Sequence, residues 1–452
     1  MKRWIGALIA VLLACVPILI HRTTSSDLLR DSDTKVLLAT IRERNAPFSW
    51  FAGDWPLQNH FYRPVSTLAF ELDNRLYGNN GAGYGLTNAL LCIACVVLLF
   101  WFLRELTDKP IIAGGASVLF AFQHVGYDRF LGPPIFYLSI AAAIGGCIRH
   151  GFKLKQWIPA ALVLLYASGE VYGINPGIGQ GTIGWLPGRT ATVMTVFALI
   201  AMASYTRYER LGAKRDAAEP TPLDPPATRS AKISTNPKAS IGWPILSLIS
   251  VALALASYEQ AVMLPAALLA ISVTLSVLRI RVRWGWQAGF WALLFAYLLL
   301  RKALIPAGVS HYQAQQLRHG PGVYLSLFAY ILPCANAVPG FLADLQTGPL
   351  ILITTTPYAF ALGVASNLTA FYQARRRWVW ALAGYGMSII AFLPMAWVKQ
   401  FAHCNYWPMA LHTLFTMSLL WVGIDLMISA WSPPTQQAPP RLDPAPGSLP
   451  HQ

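Results

Sequence analysis

Acidic and basic side chains that could perform chemistry stand beside long apolar runs in this chain. Asp31 and Asp33 lie in a polar segment after the first apolar run, and Arg63 and Asp73 follow in the same segment. Further candidates stand at the ends of later apolar runs: Arg189, Glu259, Arg301 and Lys399. A carboxylate can act as a general base, and arginine or lysine can hold a phosphate. The pattern predicts that these residues share one site at a water–lipid boundary. The alternative for each residue is that it is an ordinary solvated charge in a loop.

The composition shows which elements must position these residues. Of 452 residues, 55% are hydrophobic and 12% are charged, about half the roughly 25% of a soluble globular domain. The mean hydropathy is +0.46. These values exclude an ordinary soluble enzyme, a disordered chain and a disulfide scaffold. Since one crossing takes roughly 20 apolar residues, we predict an all-α polytopic membrane protein with about 12 transmembrane helices.

The positive charge of the chain is interpreted as a topology signal. The net charge is +15, and basic clusters at 149–155, 207–238, 279–283 and 375–377 are expected in cytoplasmic loops. Both termini are then cytoplasmic. No basic helix with interleaved stacking aromatics is found in the sequence, so no nucleic-acid partner is predicted.

The hydropathy pattern divides the chain into consecutive segments. The first transmembrane helix covers 1–21, and the long outer loop that follows, called the outer segment below, covers 22–85. Its aromatic residues predict packing at the membrane interface. Residues 323–342 contain Pro333 and Pro339 and are expected to be re-entrant. The other predicted segments are transmembrane helices at 86–206, a cytoplasmic linker at 207–240, transmembrane helices with outer loops at 241–431, and a disordered proline-rich tail at 432–452.

Two motifs are weak indicators of a cofactor or a metal. Gly179 to Gly184 matches GxGxxG but lacks the strand and helix of a nucleotide-binding unit, so a flexible external loop is expected. Cys92 and Cys95 form a CxxC inside an uncharged helix without a second pair, and the outer histidines have no ligand spacing. We therefore predict no metal site and no cofactor, and a need for a divalent cation stays open.

Several stretches, in order, match a family pattern. The first runs from Asn59 to Asn88, with Asn-His-Phe-Tyr-Arg-Pro at 59–64 and Phe-Glu-Leu-Asp at 70–73. The others are Trp-Leu-Pro-Gly-Arg-Thr at 185–190 with Tyr-Thr-Arg-Tyr at 205–208, Ser-Tyr-Glu-Gln-Ala at 257–261, and Leu300-Arg301. Together they resemble the GT-C membrane glycosyltransferases, closest to the bacterial relatives of the protein O-mannosyltransferases.

The resemblance implies a function and roles for the candidates. It implies a GT-C-like bundle in a bacterial inner membrane. This bundle would transfer a sugar, with inversion, from a polyprenyl-phosphate lipid to an acceptor protein or glycan on the outer face. Asp33 corresponds best to the family's base, with Asp31 second. Arg63, Arg189 and Arg301 would hold the donor phosphate or build the site. The other expected substrate-binding residues are Asp73, Glu259 and Lys399.

The sequence departs from the family pattern at several positions, and two other functions stay open. The family's His-Pro is His124-Val125 here, and the lysine of its Ser-Lys-Glu is Tyr258. A late Glu-Arg-Tyr motif is replaced by residues 403–408. A non-catalytic membrane scaffold is therefore one alternative. A transporter or flippase for lipid-linked substrates is another, although it predicts ionisable residues deep in the spans, which here are long and uncharged.

Overall fold

The described part of the chain is almost entirely helical. The structure, a computed structural model, describes residues 2–127, 178–218, 241–318, 320–331, 375–399 and 401–431, with scattered positions between 131 and 171. About 82% of the structure is helical, and the described residues form no β-strand. The prediction of an all-α chain is confirmed.

The helices are numbered in chain order. They are α1 (Lys2–Ile20), α2 (Ser32–Arg44), α3 (Pro64–Tyr77), α4 (Gly81–Thr107), α5 (Pro110–Gln123), α6 (Ile178–Thr182), α7 (Arg189–Ala218), α8 (Gly242–Leu255), α9 (Leu264–Val277), α10 (Gly285–Leu304), α11 (His311–Gln316), α12 (Pro321–Ile331), α13 (Arg375–Phe392) and α14 (Tyr406–Trp431). Short 3-10 turns cover Ser26–Leu29, Pro47–Ala52, Glu259–Met263, Leu393–Trp397 and Ala402–Asn405.

Several of these helices are suited to a bilayer. Among the described residues, 5 stretches are long and apolar enough to cross a membrane, and α5 and α8 are shorter apolar helices. The longest helix of this kind, α4, has 27 residues and a length of about 40 Å, more than the hydrocarbon core. The other stretches are Lys2–Ile20, Glu259–Val277, Trp378–Trp397 and Ala402–Ile428. These stretches indicate an all-α membrane protein.

Other predicted segments lie partly or wholly outside the described residues. They are parts of the transmembrane segments at 86–206 and 241–431, the end of the re-entrant segment 323–342, residues 219–240 of the linker, and the tail 432–452. One boundary moves, because α7 continues without a break into the predicted linker and ends at Ala218.

The bundle is built around helices that are apolar on most of their faces. Helix α4 packs against α1, α5 and α7, while α7 also packs against α8, and α13 packs against α14. Helix α4 buries Cys92, Cys95 and Leu99 completely, as expected of a helix surrounded by other helices. In contrast, α1 leaves Ile9 and Leu13 more than half exposed, which suits a lipid-facing helix.

The outer segment folds into helices instead of remaining an open loop. Asp31 caps the N-terminus of α2, and Asn45 ends this helix in the left-handed conformation. Pro64 occupies the first turn of α3, where its missing N–H costs nothing. Trp50 and Trp55, which were predicted at the membrane interface, are only 2% and 4% exposed. They belong to a small core with Phe70, Tyr84 and Leu186.

The glycine-rich stretch from Gly179 to Gly184 is a packed element and not the external loop that we expected. It overlaps α6, whose residues Ile178 and Thr182 are fully buried. A Cβ atom at Gly179 would collide with the carbonyl oxygen of His124. A Cβ atom at Gly181 would lie 2.8 Å from the backbone nitrogen of His403. The glycines therefore allow this stretch to pass between the end of α5 and the turn before α14.

Replacing Gly179 with alanine is expected to lower the free energy of unfolding by about 1–3 kcal/mol, because the collision involves backbone that must shift. The control is Gly386→Ala in α13, where an added Cβ meets nothing within 4 Å and alanine should be neutral or stabilising. Thermal unfolding of both variants in detergent measures the difference. Equal melting temperatures for the two variants would contradict the packing role of Gly179.

Candidate functional site

The outer segment and the ends of several helices enclose one cavity, called the outer cavity below. Its volume is about 300 Å³. Of the predicted site residues, Asp33 and Arg63 line it. The rest of its wall includes Val36, Trp55, Phe61, Trp185, Tyr258, Tyr312, Phe401 and His403. A carboxylate and a guanidinium thus lie in the wall of one mainly aromatic cavity.

Asp33 lies in the first turn of α2. Among the described residues, no side chain or backbone group hydrogen-bonds to its carboxylate. Burial raises the pKa of Asp33, and the nearby charge of Asp31 raises it further. Tyr312 lies on the same cavity wall, and the pKa of its phenol is raised by burial and by the charge of Asp33. Asp33 is therefore a partly desolvated carboxylate that can still accept a proton.

Asp31 performs a different task from Asp33. Its Oδ2 accepts a hydrogen bond from the backbone N–H of Thr34 at 3.1 Å and one from Trp185 Nε1 at 3.1 Å. The first bond caps α2, and the second fixes the Trp185 ring in the cavity wall. Asp31 does not line the cavity, and its contacts hold α2 and Trp185 in place.

Arg63 is held rigidly by one carboxylate and three rings. Its Nε and Nη2 donate hydrogen bonds to Glu259 Oε2 at 2.8 and 2.6 Å. Its guanidinium carbon lies 4.1 Å from the ring centre of Phe61 and 4.6 Å from those of Trp55 and Tyr258. The remaining nitrogen, Nη1, makes no hydrogen bond to the described residues. This nitrogen is available to an anion in the cavity.

Two more predicted residues, Asp73 and Arg189, form a buried ion pair away from the cavity. Arg189 Nη1 lies 2.6 Å from Asp73 Oδ2, and the side chains are 0% and 3% exposed. Arg189 also donates to Asn88 Oδ1 at 2.7 Å and to the carbonyl oxygen of Tyr84 at 3.1 Å. The pair joins the start of α7 to α3 and α4. Of the two roles expected for Arg189, these contacts favour site architecture.

Arg301 and Lys399 lie at the edge of the site. Arg301 Nη2 donates to the carbonyl oxygen of His60 at 3.2 Å, and Gln313 Nε2 donates to the same oxygen at 3.2 Å. Arg301 therefore ties the end of α10 to the loop before Arg63. The side chain of Lys399 is exposed and does not line the cavity.

Sequence reasoning missed the aromatic part of the site. Trp55 and Phe61 face Arg63, and Trp185 packs against His403 with ring centres 5.0 Å apart. The signal was the density of aromatic residues in the outer segment, which we attributed to the membrane interface. Among the described residues, no group of three or more His, Cys, Asp or Glu side chains could hold a metal ion.

No protein-family model matches the chain, and no curated protein or solved structure shows significant similarity to it. The family resemblance thus stays a hypothesis, and the geometry of the outer cavity is the main evidence on function.

Proposed function

We propose that the protein is a membrane glycosyltransferase that transfers a sugar from a polyprenyl-phosphate lipid to an acceptor protein or glycan. The observation that carries this proposal is that Asp33, with an unpaired carboxylate, and Arg63, a fixed cation, line the same cavity. We further propose that the bundle is GT-C-like, with about 12 spans, and that it lies in a bacterial inner membrane with the outer cavity on the periplasmic face.

The proposed reaction uses these two residues in complementary roles. Asp33 takes the proton of the acceptor hydroxyl as its oxygen attacks the anomeric carbon of the sugar. The bond from that carbon to the phosphate oxygen breaks, and the lipid phosphate leaves with the electron pair. Arg63 Nη1 stabilises the negative charge on this phosphate. Glu259 does not touch the sugar in this scheme, and instead keeps the guanidinium in place.

The size and lining of the cavity bear on the substrate. A volume of about 300 Å³ is at the lower end of the about 300–1,000 Å³ of small-molecule sites. It favours one sugar unit over a long oligosaccharide. The rings of Trp185 and Tyr312 provide apolar faces beside the polar groups.

The first test blocks the cavity without changing a charge. Val36 lines the cavity and is 52% exposed, so Val36→Trp should fold while filling part of the space. We expect sugar transfer from polyprenyl-phosphate donors to fall at least about tenfold, as for about 1.4 kcal/mol of lost transition-state binding. The matched control is Leu76→Trp on α3, which is 63% exposed and outside the cavity.

The purified protein is assayed with a set of polyprenyl-phosphate sugars and acceptor peptides, and the product is followed by mass spectrometry. Equal transfer by the two variants would place the reaction elsewhere. Absence of transfer from every donor by the unchanged protein would favour the scaffold, and movement of the lipid across vesicles without transfer would favour the flippase.

A further inference from the structure

A second, larger cavity opens at the opposite end of the bundle, between α1, α5 and α14. Its volume is about 670 Å³, and its walls are apolar except for Arg3 and Lys109. We call it the basic groove. It lies far from the outer cavity along the helices, because α1 leads from Arg3 towards the outer segment and α5 leads from Lys109 to His124. This end is the one that the basic loops predict to be cytoplasmic.

Small residues form the trough of the basic groove. Gly114 brings α5 close to α1, since a Cβ at this position would lie 3.2 Å from the Cβ of Ala7. Ala10 of α1 and Gly115 of α5 add little volume, and Met417 and Trp421 of α14 form the far wall. The result is an apolar channel between α1, α5 and α14.

Within the described part of the chain, the two cations at this groove lack the acidic partners that neighbouring arginines have. Arg207 pairs with Glu105 at 2.8 Å, and Arg210 lies 3.9 Å from Asp108. Among the described residues, neither the Arg3 nor the Lys109 side chain forms an ion pair or a hydrogen bond. No acidic side chain lines the groove. The positive charge at its mouth therefore has no partner within this part of the protein.

We propose that the basic groove binds one anionic phospholipid of the inner leaflet, with its phosphate between Arg3 and Lys109 and an acyl chain along the trough. Charge complementarity supports this occupant, because basic pockets between transmembrane helices at the cytoplasmic side attract anionic headgroups. The acyl chain matches the apolar walls. This site is separate from the outer cavity, so it stands whether or not the protein transfers sugars.

The test compares lipid binding to the full-length protein in detergent by native mass spectrometry, with titrations of phosphatidylglycerol and phosphatidylcholine. The double variant Arg3→Ala with Lys109→Ala should bind phosphatidylglycerol about 25-fold more weakly, or about fivefold for each basic residue removed. The control Lys2→Ala with Lys302→Ala removes the same charge outside the groove and should bind as the unchanged protein does. Phosphatidylcholine should bind weakly to all of them.

A second variant tests the acyl-chain part. Ala10 is exposed and lines the trough, so Ala10→Trp should fold, keep both cations and still lower phosphatidylglycerol binding. The proposal is overturned if phosphatidylcholine binds as tightly as phosphatidylglycerol, or if both double variants lose binding equally. Unchanged binding by Ala10→Trp would overturn the placement of the chain in the trough.

Discussion

Replacing Arg189 with alanine is expected to cost about 3–5 kcal/mol of stability. Arg189 is completely buried, and its removal leaves the Asp73 carboxylate without its cation in the protein interior. The change also removes the donors to Asn88 and to the Tyr84 carbonyl. Since α3, α4 and α7 meet at this point, the outer segment should lose its position on the bundle. Thermal unfolding in detergent, followed by tryptophan fluorescence, measures the effect.

Two further variants distinguish the effect of breaking the buried pair from the effect of removing any charged residue. Arg30 pairs with Asp27 at 2.7 Å, and their side chains are 73% and 63% exposed, so Arg30→Ala should cost about 1 kcal/mol or less. The double variant Arg189→Met with Asp73→Leu should recover part of the loss, because no unpaired charge stays buried. If Arg189→Ala costs no more than Arg30→Ala, the pair of Arg189 and Asp73 does not hold the outer segment in place.

Replacing Asp33 with asparagine is expected to lower the rate of the proposed sugar transfer by about 10²- to 10⁴-fold, because the amide cannot take the proton of the acceptor hydroxyl. The KM for the donor should change little, since Arg63 and the aromatic wall stay in place. Asp31→Asn is the matched control, and asparagine caps helices nearly as well as aspartate. A variant Asp33→Asn with undiminished kcat would exclude Asp33 as the base.

The pH dependence tests the same assignment. Asp33 must be ionised to act as base, so activity is lost as pH falls through its pKa. Because burial and Asp31 raise this pKa above its ordinary value of 3.8, activity should begin to fall at a higher pH than for an exposed aspartate. The variant Asp31→Asn removes one of the two causes of the raised pKa, so its loss of activity should occur at a lower pH. If activity is lost at the same pH in the unchanged protein and in Asp31→Asn, the charge of Asp31 does not affect Asp33.

Hydropathy predicted much of the fold, because in a bilayer long apolar runs must satisfy their backbone hydrogen bonds as helices. The helices α9 and α14 and most of α4 lie within the transmembrane segments predicted at 86–206 and 241–431. The helices of the outer segment were not predicted, because α2 and α3 are mixed in polarity and are fixed by caps and by the small core around Trp50. Hydropathy also placed the end of α7 too early, because charged residues past Arg207 continue the helix.

The candidate site was predicted only in part, because sequence shows which residues are charged but not which face each other. Asp31 and Asp33 are two positions apart, yet one caps α2 and the other points into the cavity, depending on where the helix begins. Arg63 and Arg189 were expected to have the same role, to hold the donor phosphate or build the site. One lines the cavity and the other is sealed against Asp73, a difference that depends on long-range packing.

The pairing of Arg63 with Glu259 has a consequence for how the protein is made. The two residues are 196 positions apart. At the usual synthesis rate of about 5–20 residues per second, Glu259 emerges roughly 10–40 s after Arg63. During this interval the arginine has no carboxylate to hold it, and the outer cavity lacks the wall that later segments provide. Under the proposed function, a newly inserted chain should therefore be unable to bind a donor at Arg63 until Glu259 has been translated.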